Sequence, residues 1–413
     1  MSFRKYIDFL SYLVLFITVG LIGINDSIIF FILSFCLYQI TWRIIERNKL
    51  WFLVPFQFSV LIFFLLRPIT YSLYGGASYS RNFNLDIDKL MHAFWLLLAM
   101  QVLVVVVFTM LKIKKLDLGD SAPKIKVLKI WFLFVLIKLA TGLTSIVLFQ
   151  VLDGYLSVMM MLIALSPYLF ESSTKIKLIV YVTSVLLELH LGNKGGLYTV
   201  AMMVLFEIYI RNLKVSIYKM TLSVGIISFF GLITFFIGAD IRHGISLLEG
   251  LENIPTIFEH SDYYLSALFE RVGYLDVLAR FVFDHRDYSD IFNLKYYFIS
   301  IVDNLPVGVN LNNNLRVSTA IHFIGQPNST NYFSEIITLP AEMLMVFGAV
   351  FLAPLMLILL ISRVVLMLSP KYMMISLGLV FDRFLFLSFG LDWMLELLFL
   401  FLFFAFLLRL RLC

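Results

Sequence analysis

Five residues have the chemistry to hold and activate a phosphorylated substrate: Lys194, Arg242, Arg271, Arg316 and His322. Lys194 stands in Gly192-Asn193-Lys194-Gly195-Gly196, where glycines let the backbone turn sharply and approach a ligand, and a lone cation there suits an anion. Arg242 precedes His243-Gly244 directly after an apolar run, at the mouth of any bundle that the run helps to form. Arg271 has no acid three or four residues away on either side, whereas Arg280 has Asp276 at i−4 in the favourable acid-first order. Arg316 offers a bidentate fork to a phosphate, and His322 is a base that can take a hydroxyl proton near neutral pH. Plainer roles stand beside these. Arg242 and Lys194 fit interfacial anchors, Arg271 fits a contact to lipid phosphate, and His322 fits a surface imidazole.

Four of the five lie in one segment, about residues 239–339, which is mostly polar in a chain that is otherwise apolar. It holds six of the 32 Lys and Arg residues and four of the six His. Within it, 262–284 reads as an amphipathic helix with Leu265, Leu268, Phe269, Val272, Leu275, Ala279 and Phe283 on one face. Arg271 and Arg280 are half a turn out of phase on that helix, so it cannot aim both at one ligand. From Val309 to Thr330 the Asn, Gly and Pro residues predict turns, the kind of irregular backbone that carries binding groups.

The elements that must position these groups are membrane helices. The chain is 61% hydrophobic and only 14% charged, with a mean hydropathy of +0.95, far from the composition of soluble domains. Its apolar runs are of helical span length and do not alternate as barrel strands would. Twelve spans are expected, at about 6–23, 28–45, 50–66, 90–111, 128–149, 153–170, 176–191, 196–210, 217–238, 340–361, 372–389 and 392–409. The first is long enough to span and lacks a small-residue cleavage site, which argues against a cleaved signal peptide. With the N-terminus inside, the short inner loops hold twenty Lys and Arg and the short outer loops four. Both termini are then cytoplasmic and segment 239–339 is outside. The chain reads as one all-α polytopic domain, 1–413. Lys138, near mid-span, and Glu188, Glu207, Glu342, Arg383, Asp392 and Glu396, nearer predicted span ends, are intramembrane charges of functional interest. Two cysteines, Cys36 and Cys413, make neither a disulfide framework nor a metal site. The basic balance, with a pI near 9.0, reflects loop anchoring and implies no nucleic acid.

The dozen spans with cytoplasmic termini, the dominant late outer loop, the Phe- and Tyr-rich composition and the Gly-basic-Gly-Gly turn together resemble the bacterial O-antigen polymerases. These are oligosaccharide repeat-unit polymerases of the Wzy type, related to the O-antigen ligases. Members often carry Gly-Ser-Arg-Gly-Gly where this chain has Lys194 in place of the Arg. No glycine stands eleven positions beyond Arg242, Arg271, Arg280 or Arg316, a spacing described for some members. The resemblance implies a GT-C-like glycosyltransferase bundle in the bacterial cell inner membrane, working on surface polysaccharide such as lipopolysaccharide. It implies metal-independent, inverting transfer at the periplasmic face without a cofactor. The partners would be oligosaccharide on undecaprenyl diphosphate, membrane lipid and a chain-length regulator protein. In that chemistry His322 and Arg316 are catalytic, and Arg242, Arg271 and Lys194 bind the diphosphate. The main competing class is a lipid-linked oligosaccharide flippase, which the long outer loop disfavours and Lys138 favours. A metal-dependent transferase using a polyprenyl-monophosphate sugar needs acids on the first outer loop, where only Asp26 is present.

Overall fold

The computed structural model describes residues 2–23, 26–74, 87–110, 174–190, 194–212, 247–259 and 352–368, with isolated positions at 135–136, 214, 216, 218–219, 221–222, 233 and 237. These residues are almost entirely helical. In chain order the helices are α1 (Phe3–Ile22), α2 (Asp26–Asn48), a 3-10 turn (Trp51–Leu53), α3 (Val54–Ser59), a π-helical segment (Val60–Leu65), α4 (Arg67–Tyr74) and α5 (Ile87–Met110). They continue as α6 (Thr174–His190), α7 (Lys194–Arg211), α8 (Leu247–Glu252), α9 (Ile254–Glu259) and α10 (Leu352–Leu368). Among the described residues, four stretches are long and apolar enough to cross a membrane: Phe3–Ile22, Ile28–Asn48, Trp51–Ser72 and Ile87–Met110. They coincide with the first four expected spans. The seventh and eighth correspond to the shorter helices α6 and α7. The other spans fall wholly or largely outside the described residues.

Local chemistry explains where the helices begin and end. Ser2 caps α1, its hydroxyl accepting from the Lys5 N–H, and Gly23 closes the helix at φ 76°, donating its own N–H to the Val19 carbonyl. The end of α2 is unusual because Lys49, not glycine, takes the left-handed conformation (φ 53°). The Lys49 N–H reaches the Glu46 carbonyl and the Leu50 N–H the Ile45 carbonyl, which satisfies two terminal acceptors. Asn212, at φ 47°, ends α7 in the same left-handed region.

The third span differs from the plain helix that its apolar run predicts. It passes through 3-10, α and π geometry and then continues as α4 to Tyr74. Pro68 supplies a reason: it cannot donate to the turn before it and its ring crowds that turn, so the helix widens over Val60–Leu65. One consequence is a correction. Arg67, one of the four cations counted to the short outer loops because the third span was expected to end at about 66, lies inside the helical run and is only 5% exposed.

Packing is aromatic. Phe31 stacks on Phe94 with ring centres 5.8 Å apart, and Phe52 meets Phe108 edge-on at 5.3 Å. The first contact joins the start of α2 to the start of α5, and the second joins the 3-10 turn just after α2 to the end of α5, so the two helices lie side by side and run in the same direction. Trp42, Phe58, Phe3 and Tyr209 form a second cluster that ties α1, α2, α3 and α7 together. In lipid, burial of apolar area does little to drive helices together, so such packing and buried polar contacts must hold the bundle.

Two buried amides are out of place in this core. Gln57 on α3 and Gln101 on α5 are 0% exposed, and neither the amide nitrogen nor the carbonyl oxygen of either has a hydrogen-bond partner among the described residues. An unpaired buried amide destabilises by about 1–3 kcal/mol. Gln101→Met, which keeps the shape and removes both polar atoms, should therefore raise stability by about that amount. Thermal unfolding in detergent checks this, and a lower midpoint would show that the amide is satisfied in the membrane.

Candidate functional site

Five ion pairs among the described residues lie at one end of the helices. The start of α1, the end of α2, the 3-10 turn, the start of α6 and the end of α7 all meet there. Arg4 lies over the rings of Trp51 and Tyr209 at 5.0 and 5.1 Å, and its Nε donates to the Tyr209 carbonyl at 3.4 Å. Tyr209 Oη donates to Glu46, which also attracts Arg4 at 3.9 Å and Arg43 at 3.8 Å. Arg43 reaches Asp8 at 3.9 Å. An antiparallel bridge between Ser2 and Lys214 brings the segment after α7 to the same place.

Beside this lies a tighter cluster around Glu207. Its Oε1 accepts from Lys177 Nζ at 2.5 Å and from Arg211 Nε at 2.8 Å, while Oε2 accepts from Tyr181 Oη at 3.2 Å. The Lys177 and Glu207 side chains are only 10% and 15% exposed. Short, charge-assisted contacts in so dry a setting are strong. With donors on both oxygens, this carboxylate is built to hold α6 against α7. Glu207 was marked above as an intramembrane charge. Its ties to Lys177 and Tyr181 join residues 30 and 26 positions apart, beyond the reach of any helical spacing, whereas Arg211 follows at the acid-first i+4 position. Lys177, one of the twenty cations counted to the inner loops although the expected span opens at about 176, lies in the first turn of α6 and is 8% exposed.

Of the five residues proposed to bind or activate substrate, only Lys194 falls among the described residues. It is the first residue of α7, so Gly195 and Gly196 belong to the helix's opening turn and not to a loop. That places its backbone about 25 Å along α7 from Arg211, at the end opposite the ionic clusters. Arg242, Arg271, Arg316 and His322 lie outside the described residues, as do Lys138, Glu342, Arg383, Asp392 and Glu396 and the amphipathic segment 262–284. The polar segment is described only at α8 and α9. There Gly250 approaches Ile237 closely enough that an added Cβ would meet the Ile237 side chain at 3.3 Å, so α8 folds back onto the end of the preceding apolar run. Among the described residues no three His, Cys, Asp or Glu side chains gather as a metal site.

The end of the bundle away from the clusters has its own polar features, not foreseen from sequence. Arg67 Nη1 donates to Thr70 Oγ1 at 3.0 Å and its guanidinium lies 5.7 Å from the Tyr71 ring centre. The His92 ring lies tilted against Phe30, ring centres 4.1 Å apart, with Nδ1 2.7 Å from the Asp88 carbonyl oxygen. Thr70 and Tyr71 stand at i+3 and i+4 from Arg67, local signals that a helical reading through Arg67 would have exposed. No family model matches the chain, and neither does any curated protein or solved structure compared with it.

Proposed function

We propose that the chain is a membrane glycosyltransferase that joins oligosaccharide repeat units carried on undecaprenyl diphosphate at the outer face of the bacterial inner membrane. His322 takes the proton of the acceptor hydroxyl as that oxygen attacks the anomeric carbon of the donor glycan. The bond from that carbon to the diphosphate breaks with inversion. Arg316, with Arg242, Arg271 and Lys194, meets the negative charge that develops on the leaving diphosphate. The observation that carries the reading is the polar segment 239–339, the one long stretch that is neither apolar nor span-like and that concentrates Arg and His. Lys194 supports it, because α7 sets this cation's backbone at the end of the helix remote from the clustered cytoplasm-type charges.

Disrupting the gene tests the proposal. Loss of a polymerase should leave surface lipid capped with a single repeat unit. Bare core with full-length chains stranded on the lipid carrier would indicate a ligase instead, and single units trapped on the cytoplasmic side a flippase. An unchanged polysaccharide ladder would remove the proposal altogether.

A further inference from the structure

Three helices share a pattern that the proposed chemistry does not use. On α1 the exposed residues Phe9, Tyr12 and Phe16 follow Lys5 at i+4, i+7 and i+11, so one outward apolar stripe ends on one exposed cation. On α6 the stripe Ile179, Val182 and Leu186 ends on Lys175 with the same spacing. On α2 the stripe Ile29, Leu33 and Ile40 runs the other way along the bundle and ends on Arg43 and Arg47. All three stripes therefore finish on cations at the same end, whichever way the helix runs.

The charge at that end is unbalanced. Its acids, Asp8, Glu46 and Glu207, are each engaged by Arg4, Arg43, Lys177 or Arg211. Lys5, Arg47, Lys49, Lys175, Lys214 and Lys219 are exposed and have no acid partner among the described residues. At the other end of α5 the exposed charges are one acid, Asp88, and one base, Lys89. Exposed Tyr218, beside Lys219, adds the amphipathic ring common at headgroup depth.

From this we infer that the stripe-and-cation faces of α1, α2 and α6 are binding sites for anionic phospholipid. The acyl chains lie along each apolar stripe and the phosphate meets the cation that closes it. Charge complementarity selects the headgroup, and the apolar stripe selects a lipid over a soluble phosphate. The inference does not depend on the chemistry proposed for the opposite face.

The test uses the full chain, purified and placed in bilayers of phosphatidylcholine containing zero, a quarter or a half phosphatidylglycerol. Native mass spectrometry should find phosphatidylglycerol retained in preference to phosphatidylcholine, and the unfolding temperature should rise with its fraction. Each cation near the surface is worth about a five-fold gain in affinity for an anionic surface. The triple variant Lys5→Gln, Arg47→Gln, Lys175→Gln removes one cation from each site and should therefore lower the preference for phosphatidylglycerol at each by about five-fold at low salt, and Lys89→Gln should not. Equal retention of the two lipids by the unaltered protein, with stability flat against phosphatidylglycerol content, would overturn the inference even if the triple variant fails to fold. Loss on Lys89→Gln equal to that of the triple variant would overturn the assignment of the sites to this end.

Discussion

Replacing Glu207 by leucine should destabilise the bundle by about 3 kcal/mol, because it leaves Lys177 charged, 10% exposed and without its acid. The asymmetry of buried pairs makes the effect large: removing one partner strands the other, whereas removing both can be nearly neutral. Lys177→Met alone should cost less than Glu207→Leu, since Glu207 would still accept from Arg211, which is 40% exposed and can follow it toward water. The double variant should recover a large part of the loss, giving a coupling of about 1–3 kcal/mol. Thermal unfolding of the four proteins in one detergent measures the cycle. Additive effects, each below about 0.5 kcal/mol, would mean that the cluster is solvated and does not clamp α6 to α7.

The same cluster illustrates what the sequence reveals and what it hides. Apolar runs announced the first four spans and the α6–α7 hairpin, because in a bilayer a helix must satisfy its own backbone over the full hydrocarbon width and so leaves a long signature. Its edges were less legible. Thr174 opens α6 two residues before the run expected from about 176, and Lys177, counted by charge among the inner-loop cations at the edge of that run, lies buried in the helix's first turn. Arg67 was misplaced for a related reason: charge alone suggested a loop, but Tyr71 and Thr70 shelter the guanidinium within the helix. Contacts such as Arg4 with Trp51 and Tyr209 join residues far apart in the chain, and no periodicity encodes them. The opposite holds for the cations proposed to bind substrate. Their residue types, and the place of Arg242, Arg271 and Arg316 in segment 239–339, are visible in the sequence. Apart from the backbone position of Lys194, their arrangement lies beyond the described residues.

On the proposed chemistry, Arg316→Ala and His322→Ala should each reduce chain growth by about 10²–10³-fold without lowering the amount of protein in the membrane. The His322 magnitude is that of removing a positioned general base, and the Arg316 magnitude that of removing one preorganised donor to a developing oxyanion. Arg316→Lys should restore only part of the activity, because an ammonium is a point charge and cannot reproduce the two parallel hydrogen bonds of a guanidinium on a phosphate. Arg280→Ala is the informative control. In the amphipathic helix that the sequence predicts, Asp276 stands one turn before Arg280, so loss of the arginine should weaken that helix and leave the ladder of chain lengths nearly intact. Gel analysis of surface polysaccharide, with an immunoblot of the membrane fraction, reads all four variants together. Normal ladders from both alanine variants at normal abundance would take the catalytic role away from Arg316 and His322. If gene disruption still abolished the ladder, the activity would remain and its base would have to be sought elsewhere in segment 239–339.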